Sequence, residues 1–362
     1  MKTVIVYAQS SPSNMEPYLE KLSQVFDSIG VEYTYLLWSR GCKKDTLHRK
    51  VLLQKTTHSK YSLLLGYIIW VCKIINNCFR NKSKDTIFFC SRFETAFSCY
   101  LISFVKNISY VYVDRDAIHM SYKWNALTKH LLKFIEIKVA NNAVAHILPG
   151  ASRSYSTNRS EYIVNNTPNS NTLDVARNLF KYEYLLKIKG FKVYVNGWLV
   201  KSRGLSDILH CAESLPNMKF IVAGKLGCDE ASTLIELSNV YFLGSVSNEE
   251  ALSIYKYVDI VLTLYDTAID VNRKAEPNKW FDCFAMSVPF ITNTGVETAG
   301  DYLSDGYCFQ YPYGDSHALS QLLTKLQQEP TLLRESRKKL SNKVVESWDV
   351  EMINIVKKLT NA

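Results

Sequence analysis

Short runs of consecutive apolar, β-branched and aromatic residues alternate along this chain with longer stretches whose apolar positions recur every three or four residues. Lys2-Thr-Val-Ile-Val-Tyr-Ala8 reads as a strand and residues 10–14 as a polar loop. Residues 16–29 fit an amphipathic helix closed by Gly30, and residues 31–38 a second strand. Strand, loop, helix, strand is the opening unit of a doubly wound sheet. No GxGxxG follows the first strand, which argues against a nicotinamide- or flavin-dependent dehydrogenase. The alternation continues through strands at 86–90, 109–113 and 144–148, with helices at 94–105 and 126–140 between them. The polar stretch 169–187 predicts a linker. A second series begins at Phe191, with strands within 191–195, 220–225, 240–247, 258–264 and 290–295. Helices are expected at 249–257, 277–288, 316–327 and 332–359.

At 362 residues the chain has material for two domains with separate cores. A hydrophobic share of 47% with 12% aromatic residues describes a folded protein rather than a disordered one. The net charge of +9 asks for an acidic partner: nucleic acid, a phosphate-bearing substrate or anionic lipid. Nine Cys occur with no CxxC and no metal-like Cys/His spacing, so reduced, mostly buried thiols in a cytoplasm are the plain reading. No charged-then-apolar signal peptide precedes the first strand. One tract stands apart. Arg40, Lys43, Lys44, Arg49, Lys50, Lys55 and Lys60 precede an uncharged run over 61–72, which is shorter than the ~20 residues of a membrane span. It reads either as a core-facing helix beside a solvated basic loop or as a peripheral patch for anionic lipid.

The chemistry concentrates in Glu276-Pro-Asn-Lys279-Trp-Phe-Asp282-Cys-Phe-Ala-Met-Ser-Val-Pro289-Phe-Ile-Thr-Asn-Thr-Gly295. Pro277 presets a helix start, with Asn278 and Lys279 in the first turn. Asp282, three residues on, can share a face with Lys279. Phe281, Phe284, Ala285 and Val288 make the buried face, and Pro289 stops the helix. Free helix amides and a Lys can meet phosphate, while a carboxylate accepts two ribose hydroxyls. The segment resembles the nucleotide-sugar stretch of GT-B glycosyltransferases, particularly the large "glycosyl transferases group 1" set. Many members read Pro-Asn-Lys-Leu-x-Glu-Tyr-x-Ala-x-Gly-x-Pro-Val-Ile there. By this match Asp282 replaces the ribose-holding Glu and Ser287 the usual Gly; Lys274 fills the slot of a second Glu, with Glu276 nearby.

Other stretches carry the same resemblance. Asn196-Gly197-Trp198-Leu-Val-Lys201-Ser-Arg203-Gly204 is a strand end, a Gly turn and cations ahead of a helix, a seat for diphosphate. It is similar to the family's Gly-Arg-x-x-x-x-Lys-Gly, with Trp198 in the first basic slot and Arg203 in the second. Phe220 to Gly224 resembles Ile-x-Gly-x-Gly. In the first half, Asp114-Arg115-Asp116-Ala-Ile-His119 ends a strand where open α/β sheets bind ligands. It resembles the acceptor-side Tyr-Asp-x-Arg-Asp or His-Asp segment, which makes Asp116 and then His119 polar catalytic candidates. The plain alternative is a helix cap and a surface His.

The resemblance implies an α/β protein of GT-B fold, two Rossmann-like doubly wound domains facing across a cleft. The acceptor-side domain is expected over 1–170, with helix 345–362 packing back on it, and the nucleotide-sugar domain over 188–344. It implies transfer of a sugar from a nucleoside-diphosphate sugar to an acceptor hydroxyl, with retention. The acceptor is expected to be a lipid-linked sugar or polysaccharide in bacterial surface glycan or lipopolysaccharide synthesis, at the cytoplasmic membrane face. Catalytic roles are expected for Asp116, His119 and Arg203. Donor-binding roles are expected for Gly197, Lys201, Arg203, Gly224, Glu276, Asn278, Lys279 and Asp282. No metal, cofactor or nucleic acid is expected. A nucleotide-sugar 2-epimerase of the same fold and a non-catalytic sugar-nucleotide-binding subunit remain alternatives.

Overall fold

The computed structural model describes residues 2–9, 17–41, 45–56, 59–81, 85–121 and 124–361; the expected loop 10–14 and the basic residues Lys43 and Lys44 lie outside them. The chain divides into two units, Met1–Asn165 with Trp348–Ala362, and Asn166–Ser347.

The first unit holds seven strands: β1 (Thr3–Gln9), β2 (Tyr33–Ser39), β3 (Arg49–Gln54), β4 (Thr86–Ser91), β5 (Ser109–Val113), β6 (Ala145–Leu148) and β7 (Glu161–Ile163). Its helices are α1 (Pro17–Ser28), α2 (Lys60–Arg80), α3 (Phe93–Ser103), the short α4 (Ile118–Ser121) and α5 (Ala126–Asn142). The strands form one parallel sheet in the order β3-β2-β1-β4-β5-β6-β7. Both faces are covered, so the central strands are apolar throughout rather than alternating. On β1, Val4, Val6 and Ala8 pack with Leu19, Leu22, Val25 and Phe26 of α1. Tyr7 turns to the other face, toward Trp70 and Ile74 of α2 and Cys99 of α3.

The second unit has β8 (Lys192–Leu199), β9 (Lys219–Leu226), β10 (Val240–Phe242), β11 (Ile260–Leu262), β12 (Phe290–Asn293) and β13 (Cys308–Tyr311). They form a parallel sheet ordered β10-β9-β8-β11-β12-β13. The helices are α6 (Ser170–Asn178), α7 (Leu205–Ser214), α8 (Asp229–Leu234), α9 (Asn248–Ile254), α10 (Asp270–Arg273), α11 (Asn278–Met286), α12 (Ala299–Ser304), α13 (Ser316–Gln328) and α14 (Pro330–Ser341). Strand order reverses between β1 and β4 in the first unit and between β8 and β11 in the second. At such a reversal the helices leave to opposite faces, and a crevice opens at the strands' carboxyl ends.

Four sequence expectations differ from the structure. Residues 169–187 form α6 and a 3-10 turn, Glu183–Lys187, that belong to the second unit, because Ala176, Tyr182 and Leu185 are buried in its core. Few of its apolar side chains are buried, and Val175, Phe180, Tyr184 and Leu186 are exposed, so no regular apolar face marks the stretch in the sequence. The expected basic loop contains β3, an edge strand in which Arg49 is half-buried and Lys50 exposed. The apolar helix runs past Lys73 to Arg80, since Lys73 lies on its exposed side while Ile74 and Cys78 continue the buried face. The single helix expected over 332–359 is two. α14 ends at Ser341, Val344 is exposed, and the last helix, Trp348–Thr360, packs on α1 with Trp348 edge-on to Tyr18 at 5.4 Å.

Candidate active site

The reversal point of the second unit gathers several of the residues singled out by sequence. Gly197, near the end of β8, has φ +99°, and a Cβ there would stand 3.0 Å from Lys279 Nζ. Across the β8–β9 ladder it pairs with Gly224 (φ +140°), where a Cβ would lie 1.8 Å from the Gly197 carbonyl oxygen. Both positions need glycine, for backbone conformation and for room. Lys279 is in the first turn of α11, whose cap is Pro277. Neighbouring Trp280 is fully buried, donates from Nε1 to Thr263 Oγ1 at 2.7 Å and stacks on Phe290. That indole locks the start of α11 to β11 and β12. The buried face is Trp280, Phe281, Cys283 and Phe284, with Ala285 only half buried, so it is rotated slightly from the expected one. Ser287 ends the helix at φ 53°, a left-handed conformation that accounts for the glycine common there in the resembling family.

Arg203 belongs to the 3-10 turn Lys201–Arg203, and its guanidinium lies 4.3 Å over the Tyr265 ring. Buried Asn293 fixes that tyrosine: its Oδ1 accepts from Tyr265 N at 2.8 Å and its Nδ2 donates to Tyr265 O at 2.9 Å. Arg203 Nη1 is buried without a hydrogen-bond partner among the described residues. An unsatisfied guanidinium nitrogen is costly, and an incoming anion removes the cost. Burial, then the neighbouring Arg203 charge, pulls Lys279 down to about 8, while Asp282 one turn along works the other way. Two like charges therefore converge on one small crevice lined also by Asn196 and Trp198.

The other donor-side residues are dispersed around this pair. Lys201 is exposed and 2.8 Å from Glu230, which raises the lysine's pKa and lowers the carboxylate's. It is thus engaged away from Arg203 and Lys279. Glu276 is buried, with its carbonyl accepting from Asn166 Nδ2 at 3.0 Å. Asn278 is exposed at the first position of α11, and Asp282 is half buried.

In the first unit, Asp116 is exposed just beyond β5 and pairs with buried Arg153 at 3.2 Å. His119 is buried, not on the surface, and its Nδ1 lies 2.5 Å from Glu136 Oε2. Asp114 accepts from Tyr155 Oη at 2.5 Å. At the β1–β4 reversal, Gln9 bridges Arg40 Nη2 (2.9 Å) and Glu94 Oε1 (2.5 Å). Burial pushes the Glu94 carboxyl up despite the neighbouring Arg92. Arg92 itself sits at φ 88°, ψ 160°, a region normally left to glycine.

No protein-family model and no curated protein matches this chain in sequence. Solved structures do match it over their whole length. Sucrose-phosphate synthase from Thermosynechococcus elongatus superposes with a TM-score of 0.73 at 12% identity, covering 99% of this chain and 100% of that one. A glycosyltransferase from Rickettsia africae gives 0.66 at 13% identity, covering 99% and 98%. HepE from Anabaena, in complex with UDP and glucose, gives 0.66 at 14% identity, covering 100% of both chains. The chain has the GT-B fold.

The two GT-B units carry different chemistry at their reversal points, cations in the second and a Gln–Arg–Glu cluster in the first. Among the described residues, no group of three or more His, Cys, Asp or Glu is placed to hold a metal ion. Sequence reading missed Tyr265, Asn293, Glu94, Gln9 and Glu136. Only Glu136 carries a signal, a lone acid among Phe134, Ile135, Ile137 and Val139.

Proposed function

We propose that this GT-B protein is a glycosyltransferase that moves a sugar from a nucleoside-diphosphate donor to an acceptor hydroxyl. The observation that carries the reading is the convergence of Arg203 and Lys279 on the crevice at the β8–β11 reversal, beside Gly197, with the Arg203 Nη1 atom left unpaired among the described residues. Diphosphate is the anion whose two phosphates can satisfy both cations, and Asp282 is one helical turn away to accept ribose hydroxyls. As the glycosidic bond breaks, the leaving diphosphate gathers charge, and preformed cations stabilise it. In the first unit, Asp116 and His119 are assigned to the acceptor hydroxyl. Retention and a lipid-linked or polysaccharide acceptor in surface glycan synthesis follow from the resemblance of Pro277 to Ile291 and of Asp114 to His119 to the group 1 set. The test is thermal denaturation against a panel of nucleoside-diphosphate sugars, where a bound donor at 100 times its Kd adds about 2.7 kcal/mol. Stabilisation by none of them sinks the proposal. Release of an isomerised sugar nucleotide selects an epimerase, and binding without transfer or hydrolysis a binding subunit.

The depressed pKa of Lys279 gives this site a pH signature. Only the ammonium pairs with diphosphate, so binding takes up a proton once pH exceeds the free-state value of about 8. Nucleoside-diphosphate affinity is expected to be level between pH 7 and 8, then to fall by up to about tenfold per pH unit above 8. Calorimetric titrations at several pH values check this, and Lys279→Met should weaken binding and abolish the pH dependence. Equal affinities at pH 7 and pH 9.5 would remove Lys279 from the site.

We assign the protein to the cytoplasmic face of an anionic membrane, which it meets through the first unit. Among the described residues, one helix, Tyr61–Arg80, is long and apolar enough by length and composition to cross a membrane. Its Trp70, Ile74 and Cys78 are fully buried against the sheet, which favours a surface role over a spanning one. Tyr61, Leu64, Leu65 and Ile68 are exposed along one stripe, and α5 adds exposed Leu127, Leu131 and Phe134 beside Lys133 and Lys138. Liposome binding is expected to rise with anionic lipid and fall with salt. Neutralising Lys43, Lys44, Arg49 and Lys50 should cost about 1 kcal/mol per residue that lies at the surface. No binding to anionic vesicles at low salt would leave the stripe as ordinary exposed surface.

A further inference from the structure

Glu136 is wholly buried in the middle of α5, on the layer that packs against β5 and the segment following it. A carboxylate without water is costly unless its lone pairs are filled. Here four donors fill them. Oε1 accepts from Tyr112 Oη (2.9 Å) and Ile118 N (3.0 Å); Oε2 accepts from His119 N (3.4 Å) and His119 Nδ1 (2.5 Å). Three of these donors belong to Ile118 and His119, so one buried side chain holds both the backbone and the ring of a candidate catalytic residue.

The hydrogen bonds also fix the chemistry of the ring. An ionised carboxylate only accepts, so Nδ1 of His119 must carry a proton. In the neutral imidazole this leaves Nε2 as the ring's acceptor, and Nε2 has no hydrogen-bond partner among the described residues. Tyr155, edge-on at 5.4 Å, limits rotation of the ring from the other side. Its hydroxyl is committed to Asp114, and the nearby Asp116 carboxylate is paired with Arg153, so neither competes for the bond to Nδ1.

We propose that Glu136 is a positioning residue: it holds His119 as the Nδ1–H tautomer, so that Nε2 accepts a hydrogen bond from a substrate hydroxyl beyond the carboxyl end of β5. The substrate part of this inference rests on the glycosyltransferase reading; the tautomer part does not.

The test uses the full chain with ¹⁵N-labelled histidine, the His119 signals being assigned by their loss in His119→Gln. Wild-type His119 should show a protonated Nδ1 and an unprotonated Nε2. In Glu136→Gln the neutral ring should populate the Nε2–H form, and kcat for sugar transfer should fall tenfold or more with donor affinity unchanged. Tyr112→Phe deletes a different bond to the same carboxylate; it should leave both tautomer and kcat as in wild type, and it keeps the comparison available if Glu136→Gln unfolds. A wild-type His119 carrying its proton on Nε2 overturns the proposal, as does a Glu136→Gln variant that folds with ring signals and kcat unchanged. A Tyr112→Phe variant that loses the tautomer and activity to the same degree also overturns it, because Glu136 then acts only through general packing. If wild type transfers no sugar yet shows the Nδ1–H form, the glycosyltransferase reading fails and the positioning role stands.

Discussion

Arg203→Ala is expected to lower kcat for sugar transfer by about 10²–10³ while weakening binding of the bare nucleoside little. That range is what removing one preorganised donor from a developing negative charge typically costs. The guanidinium already lies over Tyr265 with one buried nitrogen unpaired, so little reorganisation is needed when the diphosphate begins to leave. Its effect therefore belongs to the transition state more than to the ground state. Arg203→Lys should recover only part of the loss, since an ammonium offers neither the stacking plane nor the forked donors. Steady-state kinetics beside direct measurement of nucleoside affinity separates the two contributions. An alanine variant with wild-type kcat would take Arg203 out of the mechanism.

Gly224→Ala is expected to cost about 2–6 kcal/mol of folding stability and to abolish donor binding in whatever protein still folds. The new methyl would sit 1.8 Å from the Gly197 carbonyl oxygen, on a backbone with φ +140°. Strain of about 1–3 kcal/mol for that conformation adds to about 1–3 kcal/mol for overpacking. The nearest atoms are backbone, so no side-chain rotation relieves the clash. Gly197 has to move, and Lys279 Nζ rests against it. Gly300→Ala is the control, because nothing stands within 4 Å of a Cβ there. Denaturant unfolding of both variants with and without nucleoside diphosphate reads both effects. Equal stability and affinity in the two would mean that the Gly197–Gly224 contact is not tight.

Much of the donor-side site is legible in one dimension because its parts are local. Pro277, Lys279 and Asp282 lie within two turns of a single helix, and Gly197 to Gly204 span the end of one strand and the turn that follows it. Periodicity and turn chemistry act over such distances. Lys201 shows where local reading stops. It is two residues from Arg203 and equally cationic, yet Glu230, on a different helix, holds it at 2.8 Å. The last helix shows the same boundary at a larger scale: the sequence predicts helix from 332 to 359, but the burial of Trp348 beside Tyr18 assigns its second half to the other unit.

Sequence by itself determined the doubly wound architecture, since strand-length apolar runs separated by helix-period stretches can bury both faces of a parallel sheet in few other ways. It also determined the start of α11 and the glycine turns, each set by backbone preferences of residues close in the chain. The tertiary structure alone decided which charges meet. Arg203 faces Lys279 across 76 positions of sequence, Asn293 clamps Tyr265 from 28 residues away, and Glu136 reaches His119 from 17. The physical reason is that electrostatics and hydrogen bonding depend on distance in space and on exclusion of water, and neither exists until the strands have been ordered and the helices laid across them.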